Sequence, residues 1–511
     1  MLGLSYFRQI VAVRASARRN LESSVVLGFI LALTLPCLVY RYLPMVDLPQ
    51  HEAVVSMMLH LPEPGFGFNT YYAWAPTRTL YLFPYGLAAA LAQIMPLHRA
   101  LNVVVFLATL SYPVGVVLCL RALKRPSYIA LIALPVVYNQ SFFWGFLNFN
   151  LSLGLAFVTI SLMLGEWSTR KRMGVAILAC TVALTHIYGL LLLGIYLGLW
   201  LLTSERAQAQ RRIAALIPAA LLLVLWVVLL AKAKGFAEFD WTGVSARWSR
   251  LPDSIAGGWR GRTETLSLLF AAAIIIAFFN RSLPWTLTCW KRLGVQQRLA
   301  WQFISINLLL YFIMPELPQA ATKSSFRHAQ IAVMALPLTL VSDAALAIAN
   351  WVRPALWLLG AFCVLASWSH FGRFDAEARS FDAVVDAIPR GARVAQLTYE
   401  RQGRVANVPV YMHFAAYAQA QKGGLLAVSF PSRFWNMPVA RKANFALPPI
   451  PKGLEWNPQL FGAARLDRCF DYIVLRAART RTPGLPVPFP YQLQLKSGPW
   501  WLLRKVESRH D

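Results

Sequence analysis

Hydrophobic positions run in long blocks along the first three-quarters of the chain and in short ones along the rest. Apolar stretches centred on 24–40, 101–120, 127–141, 147–165, 173–187, 188–203, 212–231, 265–279, 299–314, 329–348 and 355–371 approach the length an α-helix needs to cross a bilayer. The stretch 173–203 is continuous, and one helix of that length would overshoot the hydrocarbon core. Two shorter spans meeting near His186–Gly189 are expected instead. A further apolar run, 79–95, is ambiguous. After Phe371 the pattern changes to short strand-like segments: Arg393–Thr398, Leu425–Phe430, Tyr472–Arg476, Tyr491–Leu495 and Trp500–Arg504. One helical stretch, 409–421, lies among them, with Pro and Gly as punctuation. The predicted fold is an α-helical polytopic membrane protein of about eleven spans plus a re-entrant or interfacial segment. Residues 1–371 form that module, and 372–511 form a soluble α/β domain.

Composition supports this division. The 511 residues are 57% hydrophobic and 14% charged, against roughly a quarter charged in soluble proteins. The net charge of +27 sits largely in short loops such as Thr169–Arg172 and Gln210–Arg212, which is a topology signal and not a nucleic-acid surface. The N-terminus carries Arg8, Arg14, Arg18 and Arg19, then an apolar run from Val25 to Val39 with no small-residue cleavage site, which predicts a retained first span. With that terminus inside, the loops at Arg121–Arg125, Ser168–Arg172, Ser204–Arg212, Arg281–Arg298 and Trp351–Arg353 all fall inside only if 79–95 does not cross. The span count is then odd, and the C-terminal domain lies outside with the loop 41–78. Six cysteines are scattered and only Cys469 belongs to the soluble domain, which therefore holds no internal disulfide.

The loop 41–78 contains the most informative stretch, Pro44–Glu52. Asp47 follows the first span, Pro49 can start a short amphipathic helix over 50–61, and His51 and Glu52 fall on its first turn. These three are the types for a general base with a partner, or for part of a divalent-metal site. Asp47 is equally suited to cap the helix. Arg78, in the same loop, can hold a phosphate or anchor at the interface. His186 interrupts an apolar run, which marks a functional candidate or a helix–helix hydrogen bond. Lys323, Arg327 and His328 open the tenth span from outside, against the positive-inside bias, and suit an anionic ligand or snorkelling. Lys232 and Lys234 raise the same question. Trp144, beside Phe142 and Phe143, and the Tyr71, Tyr72 and Trp74 group can stack on a sugar or join an interfacial aromatic belt. There is no Walker loop, GxGxxG, CxxC or HExxH. Acidic residues inside the spans are nearly absent, Asp343 lying near one helix end, which argues against a proton- or sodium-coupled transporter.

An acidic loop after the first span, about a dozen helices and a C-terminal domain on the same side resemble the GT-C glycosyltransferases. The stretches SFFWGFLNFNLSLGLAF (141–157), ALTHIYGLLLL (183–193) and FPYQLQLKSGPWWLLRK (489–505) are similar to bacterial multipass proteins of that plan. The resemblance implies an enzyme of the bacterial inner membrane, with its N-terminus cytoplasmic and its C-terminal domain periplasmic. It would transfer a sugar from a polyprenyl-phosphate carrier to an envelope glycan, lipid or protein acceptor. Asp47 would take the acceptor proton. Arg78, Lys323, Arg327 and His186 would neutralise the leaving phosphate, and 79–95 would help form the lipid groove. GT-C enzymes usually carry a pair of acids in the first loop, whereas here the nearest partner to Asp47 is Glu52. A divalent metal ion is the cofactor the resemblance admits. Two other functions fit the same sequence: a lipid or glycolipid flippase, and a non-catalytic protein of envelope assembly.

Overall fold

The computed structural model describes residues 20–203, 206–230, 241–279, 283–316, 324–341, 349–443, 447–477 and 490–506. Lys232, Lys234, Lys323 and Asp343, singled out above, lie outside these residues.

Among the described residues four helices are long and apolar enough to cross a bilayer: Asn20–Val39, Leu97–Ala122, Ala209–Val228 and the long helix that begins at Ala349. Leu147–Met163, Ile187–Thr203 and Thr263–Phe279 are shorter, with 17 residues each. The protein is a multi-pass membrane protein with a small C-terminal sheet domain. The run 79–95 contains only the ten-residue helix Leu82–Leu91. At 1.5 Å per residue it extends about 15 Å, half the hydrocarbon core, so it is too short to cross.

The continuous apolar run 173–203 breaks as its length predicts. Helices Thr169–Thr185 and Ile187–Thr203 meet at His186, whose backbone is extended (φ −169°, ψ 139°). Residues 127–141 differ from the regular span expected there. Ser127–Val136 is a 3-10 helix with all ten residues buried, so its apolar sequence reflects packing inside the protein and not contact with lipid. Leu97–Ala122 and Leu147–Met163 pack closely through small residues. A Cβ on Gly154 would lie 1.9 Å from Ser111 Oγ and 2.7 Å from the Tyr112 nitrogen, so only glycine permits this approach.

The long helix does not end where the apolar pattern stops at Phe371. It runs on to Ala378, leading directly into the C-terminal domain. The five-stranded sheet has the order Leu425–Leu426, Arg393–Thr398, Tyr472–Arg476, Trp500–Lys505, Tyr491–Ser497. Its first three strands are parallel and the last two antiparallel. Each segment expected as a strand takes part. The expected Leu425–Phe430 is cut short, because Phe430–Arg433 turns into a helix with Pro431 at its start. The expected helix 409–421 is Ala415–Lys422.

Three contacts fasten this domain to the membrane part. Tyr72–Trp74 pairs antiparallel with Val439–Arg441, Trp259 bridges to Ala406, and helix Leu48–His60 packs along Ala415–Lys422. That last helix was expected to be amphipathic, with a wet face. Instead every residue from Leu48 to Met57 is buried, because the domain covers the polar side. Its polar groups are satisfied there. Gln50 donates to the Val428 carbonyl (3.0 Å) and accepts from the Phe430 amide (3.0 Å), and Ser56 donates to the Ala420 carbonyl (2.6 Å).

Candidate functional site

The site is organised by the turn Asn139–Phe149. Asn139 caps the short helix Gln140–Trp144 by accepting from the Phe142 amide, and Gly145 ends it with φ +82°. Glycine is required at this point for two reasons. The left-handed conformation disfavours a Cβ, and a Cβ would stand 2.6 Å from the Asp47 nitrogen and 2.9 Å from its Cβ. The Val46 amide also donates to the Phe143 carbonyl (2.8 Å). Asp47 is therefore pressed against the turn by backbone contacts, before any side-chain interaction.

Asp47 occupies the N-cap position of helix Leu48–His60, but its side chain makes no cap hydrogen bond. It accepts from His413 Nδ1 at 3.0 Å, and both side chains are largely buried. The Asp47 carboxylate is thus free of the helix cap and held instead by an imidazole from the C-terminal domain.

His51 is held more tightly. Its Nε2 lies 3.1 Å from the Gly145 carbonyl and its Nδ1 2.9 Å from the Tyr85 hydroxyl. A carbonyl only accepts, so Nε2 carries the proton and Nδ1 accepts from Tyr85. Both ring nitrogens are engaged. Burial lowers the His51 pKa, with Asp47 and the Gly145 hydrogen bond opposing. His51 thus pins the turn to the helix as a neutral ring and offers no free base. Glu52, next on the helix, belongs to other surroundings. Burial pushes its pKa up to about 8 against the pull of Arg41. Its charge is felt by Tyr42 and Tyr417, whereas Asp47 acts on His51 and Tyr85.

On the far side of Gly145, Phe146 and Phe149 open helix Leu147–Met163 and support a buried cation. The Arg327 guanidinium lies 4.5 Å from the Phe146 ring centroid, 5.0 Å from Phe149 and 5.1 Å from Tyr188. Its Nη1 is 3.4 Å from His186 Nε2 and its Nε has no partner. Among the described residues no carboxylate forms an ion pair with it. His186 stacks on Tyr81 (4.5 Å, 15° between planes) and accepts from the Tyr188 amide. A buried guanidinium costs several kcal/mol without an anion, and aromatic faces offset only part of that.

The structure thus brings Asp47 and Arg327 to adjacent residues of one turn, with His51 and His186 as supports. Arg78 is exposed at the end of the 3-10 turn Pro76–Arg78, three residues before the Tyr81 that stacks on His186. Trp144 lies on the turn with its ring 6.4 Å from Trp456 of the C-terminal domain. A cavity of about 340 Å³ adjoins this region, lined by Gln140, Tyr311, Glu316, Ser325 and Phe326 among others. Among the described residues no three His, Cys, Asp or Glu side chains gather to hold a metal ion. Asp47, His51 and Glu52 do not form such a group. Sequence reasoning missed His413, Tyr85 and Gly145. The turn around Gly145 was flagged for its aromatics, but the contacts of His413 and Tyr85 carry no local signal.

The whole chain matches a known architecture. Over 95% of its length and 98% of the other chain, it superposes on the crystal structure of ArnT from Cupriavidus metallidurans bound to undecaprenyl phosphate, with a TM-score of 0.56. The chain has an ArnT-like fold. Sequence identity to ArnT is 11%, so the likeness is one of fold. No family model matches the chain, and no curated protein matches it. The coverage shows that the C-terminal domain is part of the architecture shared with ArnT and not an unrelated appendage.

Proposed function

We propose that this protein is a membrane glycosyltransferase that moves a sugar from a polyprenyl-phosphate carrier to an envelope acceptor at the outer face of the bacterial inner membrane. The observation that carries this reading is the turn Gly145–Phe146, with Asp47 against one residue and over the next the Arg327 guanidinium, which among the described residues forms an ion pair with no carboxylate. The ArnT-like fold supports it, since ArnT itself was crystallised with undecaprenyl phosphate.

In this mechanism the acceptor hydroxyl attacks the anomeric carbon of the donor sugar. The bond from that carbon to the phosphate oxygen breaks and both its electrons leave with the phosphate. Asp47 takes the hydroxyl proton as the new bond forms, while His413 orients its carboxylate by donating to Oδ1. Arg327 pairs with the charge developing on the departing phosphate, in surroundings dry enough to make that interaction strong. His186 holds the guanidinium from the side, and Arg78, exposed at the surface, meets the carrier there. The carrier's hydrophobic chain would run beside the short helix Leu82–Leu91. The basic N-terminus is cytoplasmic and the C-terminal domain periplasmic, as the loop charges imply.

Mass spectrometry of envelope glycolipids tests the reading, comparing cells that carry the gene, lack it, or carry Asp47→Asn at equal protein level. The expected result is loss of one sugar from one acceptor class in both altered strains. Identical profiles in all three would refute it.

A further inference from the structure

The loop between helices Val244–Ile255 and Thr263–Phe279 reaches the surroundings of both Asp47 and His413. On one side it meets the turn against which Asp47 is pressed. Gly258 lies against the Phe143 ring, where a Cβ would stand 1.9 Å from Cδ2 and 2.0 Å from Cε2. The next ring, Trp259, packs edge-on against Phe143 with centroids 4.7 Å apart, and stacks on His370 of the long helix (4.5 Å, 16° between planes). Phe143 is itself buried, and its carbonyl accepts from the Val46 amide, one residue before Asp47.

On its other side the loop meets the C-terminal domain. The Asn407 amide donates to the Gly258 carbonyl (2.9 Å), the Asn407 side chain to the Trp259 carbonyl (3.0 Å), and the Arg260 amide to the Val405 carbonyl (2.7 Å). From Asn407 the chain continues through Val408, Val410, Tyr411 and Met412, all buried. Tight turns carry it to His413, the Val410 amide donating to the Val408 carbonyl (2.8 Å) and the Met412 amide to the Pro409 carbonyl (3.0 Å). A shift of the loop is therefore felt at both partners of the Asp47–His413 hydrogen bond.

A carboxylate fixes the loop. Glu264, the second residue of helix Thr263–Phe279, is buried, and its Oε2 accepts from the Gly257 amide (2.7 Å) and the Trp259 amide (3.3 Å). Gly257 has φ +97°, a conformation that lets successive amides converge on one anion. An acid serving only its own helix would accept from amides of that helix's first turn. Glu264 instead reaches back to amides seven and five residues earlier. Among the described residues no cation pairs with it. A buried carboxylate without a counter-ion is costly unless donors surround it, so Glu264 and the loop hold each other in place.

We propose that Glu264 is a positioning residue: by holding the loop Gly257–Arg260 between Phe143 and Val405–Asn407, it sets the separation of Asp47 and His413. That its loss slows a reaction rests on the transfer reading above, whereas its control of the pair's geometry does not. The pair stands at 3.0 Å, and a displacement of about one ångström on either side breaks such a bond.

Hydrogen exchange read by mass spectrometry tests this on the full-length protein in nanodiscs, comparing wild type with Glu264→Ala, Glu264→Asp and Glu264→Gln. Glu264→Ala is expected to speed exchange at least about tenfold in three segments: the loop 257–260, the turn 143–147 together with Val46, and 408–413. The strand Tyr472–Arg476 is expected to keep its protection. Glu264→Gln retains an acceptor oxygen and is expected to recover most of the protection. Glu264→Asp, shorter by one methylene, is expected to give a smaller change in the same segments, and it decides the matter if Glu264→Ala yields no folded protein. A change confined to 257–260 overturns the proposal, because Glu264 would then be a local cap. No change, or an equal rise in Tyr472–Arg476, overturns it as well. In cells at equal protein level, Glu264→Ala is expected to lower the glycolipid product at least about tenfold and Glu264→Gln to restore most of it. If Asp47→Asn abolishes that product and Glu264→Ala leaves it intact, this proposal falls and the transfer reading stands. If neither Asp47→Asn nor loss of the gene alters the glycolipids, the transfer reading falls, and the exchange pattern alone decides the role of Glu264.

Discussion

Replacing Glu52 by Gln tests how the interface between the two parts of the protein is held. Glu52 is 3% exposed, and burial raises its pKa from the ordinary 4.5 to about 8. A carboxyl whose folded pKa exceeds its unfolded one binds a proton more tightly when folded, so it destabilises the protein as pH rises. The penalty begins above 4.5, where the unfolded chain ionises, and grows until the folded group ionises near 8. At pH 7 the difference corresponds to about 3 kcal/mol. Glutamine has nearly the same shape, cannot ionise and removes this term. Glu52→Gln is therefore expected to match wild type near pH 5 and to melt several degrees higher at pH 8. Tryptophan-fluorescence melting of the purified protein in detergent, across that pH range, checks it. Parallel curves for the two proteins would show that Glu52 is not a buried neutral acid, and would refute the reasoning.

Three further outcomes follow from the site. Gly145→Ala places a Cβ in the left-handed region and 2.6 Å from the Asp47 nitrogen, so it should cost about 1–2 kcal/mol in stability and, by displacing Asp47 by about an ångström, on the order of 100-fold in transfer; melting and glycolipid yield read the two effects. His413→Ala removes the hydrogen bond to Asp47 and should both slow transfer about 10- to 100-fold and lower the melting temperature, by the loss of a bond worth about 1.5–3 kcal/mol to a charged group; an unchanged rate would detach His413 from the chemistry. Arg327→Gln should weaken binding of polyprenyl phosphate to the purified protein about tenfold or more, and equal binding would remove Arg327 from the phosphate site.

Much of the fold is legible in the sequence because its signals are local. The strands from Arg393 to Lys505 alternate or cluster apolar residues between turn formers, and each is present in the sheet. The break at His186 follows from length alone, and the absence of a spanning helix over 79–95 agrees with the distribution of loop charge. Contacts across the chain leave no such trace. His413 and Asp47 are 366 residues apart, and nothing near either one announces the other. The burial of helix Leu48–His60 is equally hidden, since Gln50 and Ser56 look like a wet face until the domain covers them. Ser127–Val136 misleads in the opposite direction, because residues packed inside a protein are as apolar as residues packed in lipid. The charge of Arg327 at the outer start of an apolar run is visible in the sequence, but the aromatic rings around it are a feature of the fold alone.

The central claim is that Asp47 takes the acceptor proton as a sugar leaves a polyprenyl phosphate. Its most direct test is the consumption of polyprenyl-phosphate-linked sugar in membranes containing equal amounts of wild type or Asp47→Asn, followed by mass spectrometry of the carrier. The account predicts that wild type converts the sugar-loaded carrier to free polyprenyl phosphate and that Asp47→Asn leaves it loaded. Equal conversion by both proteins, or by neither above membranes lacking the protein, would contradict it.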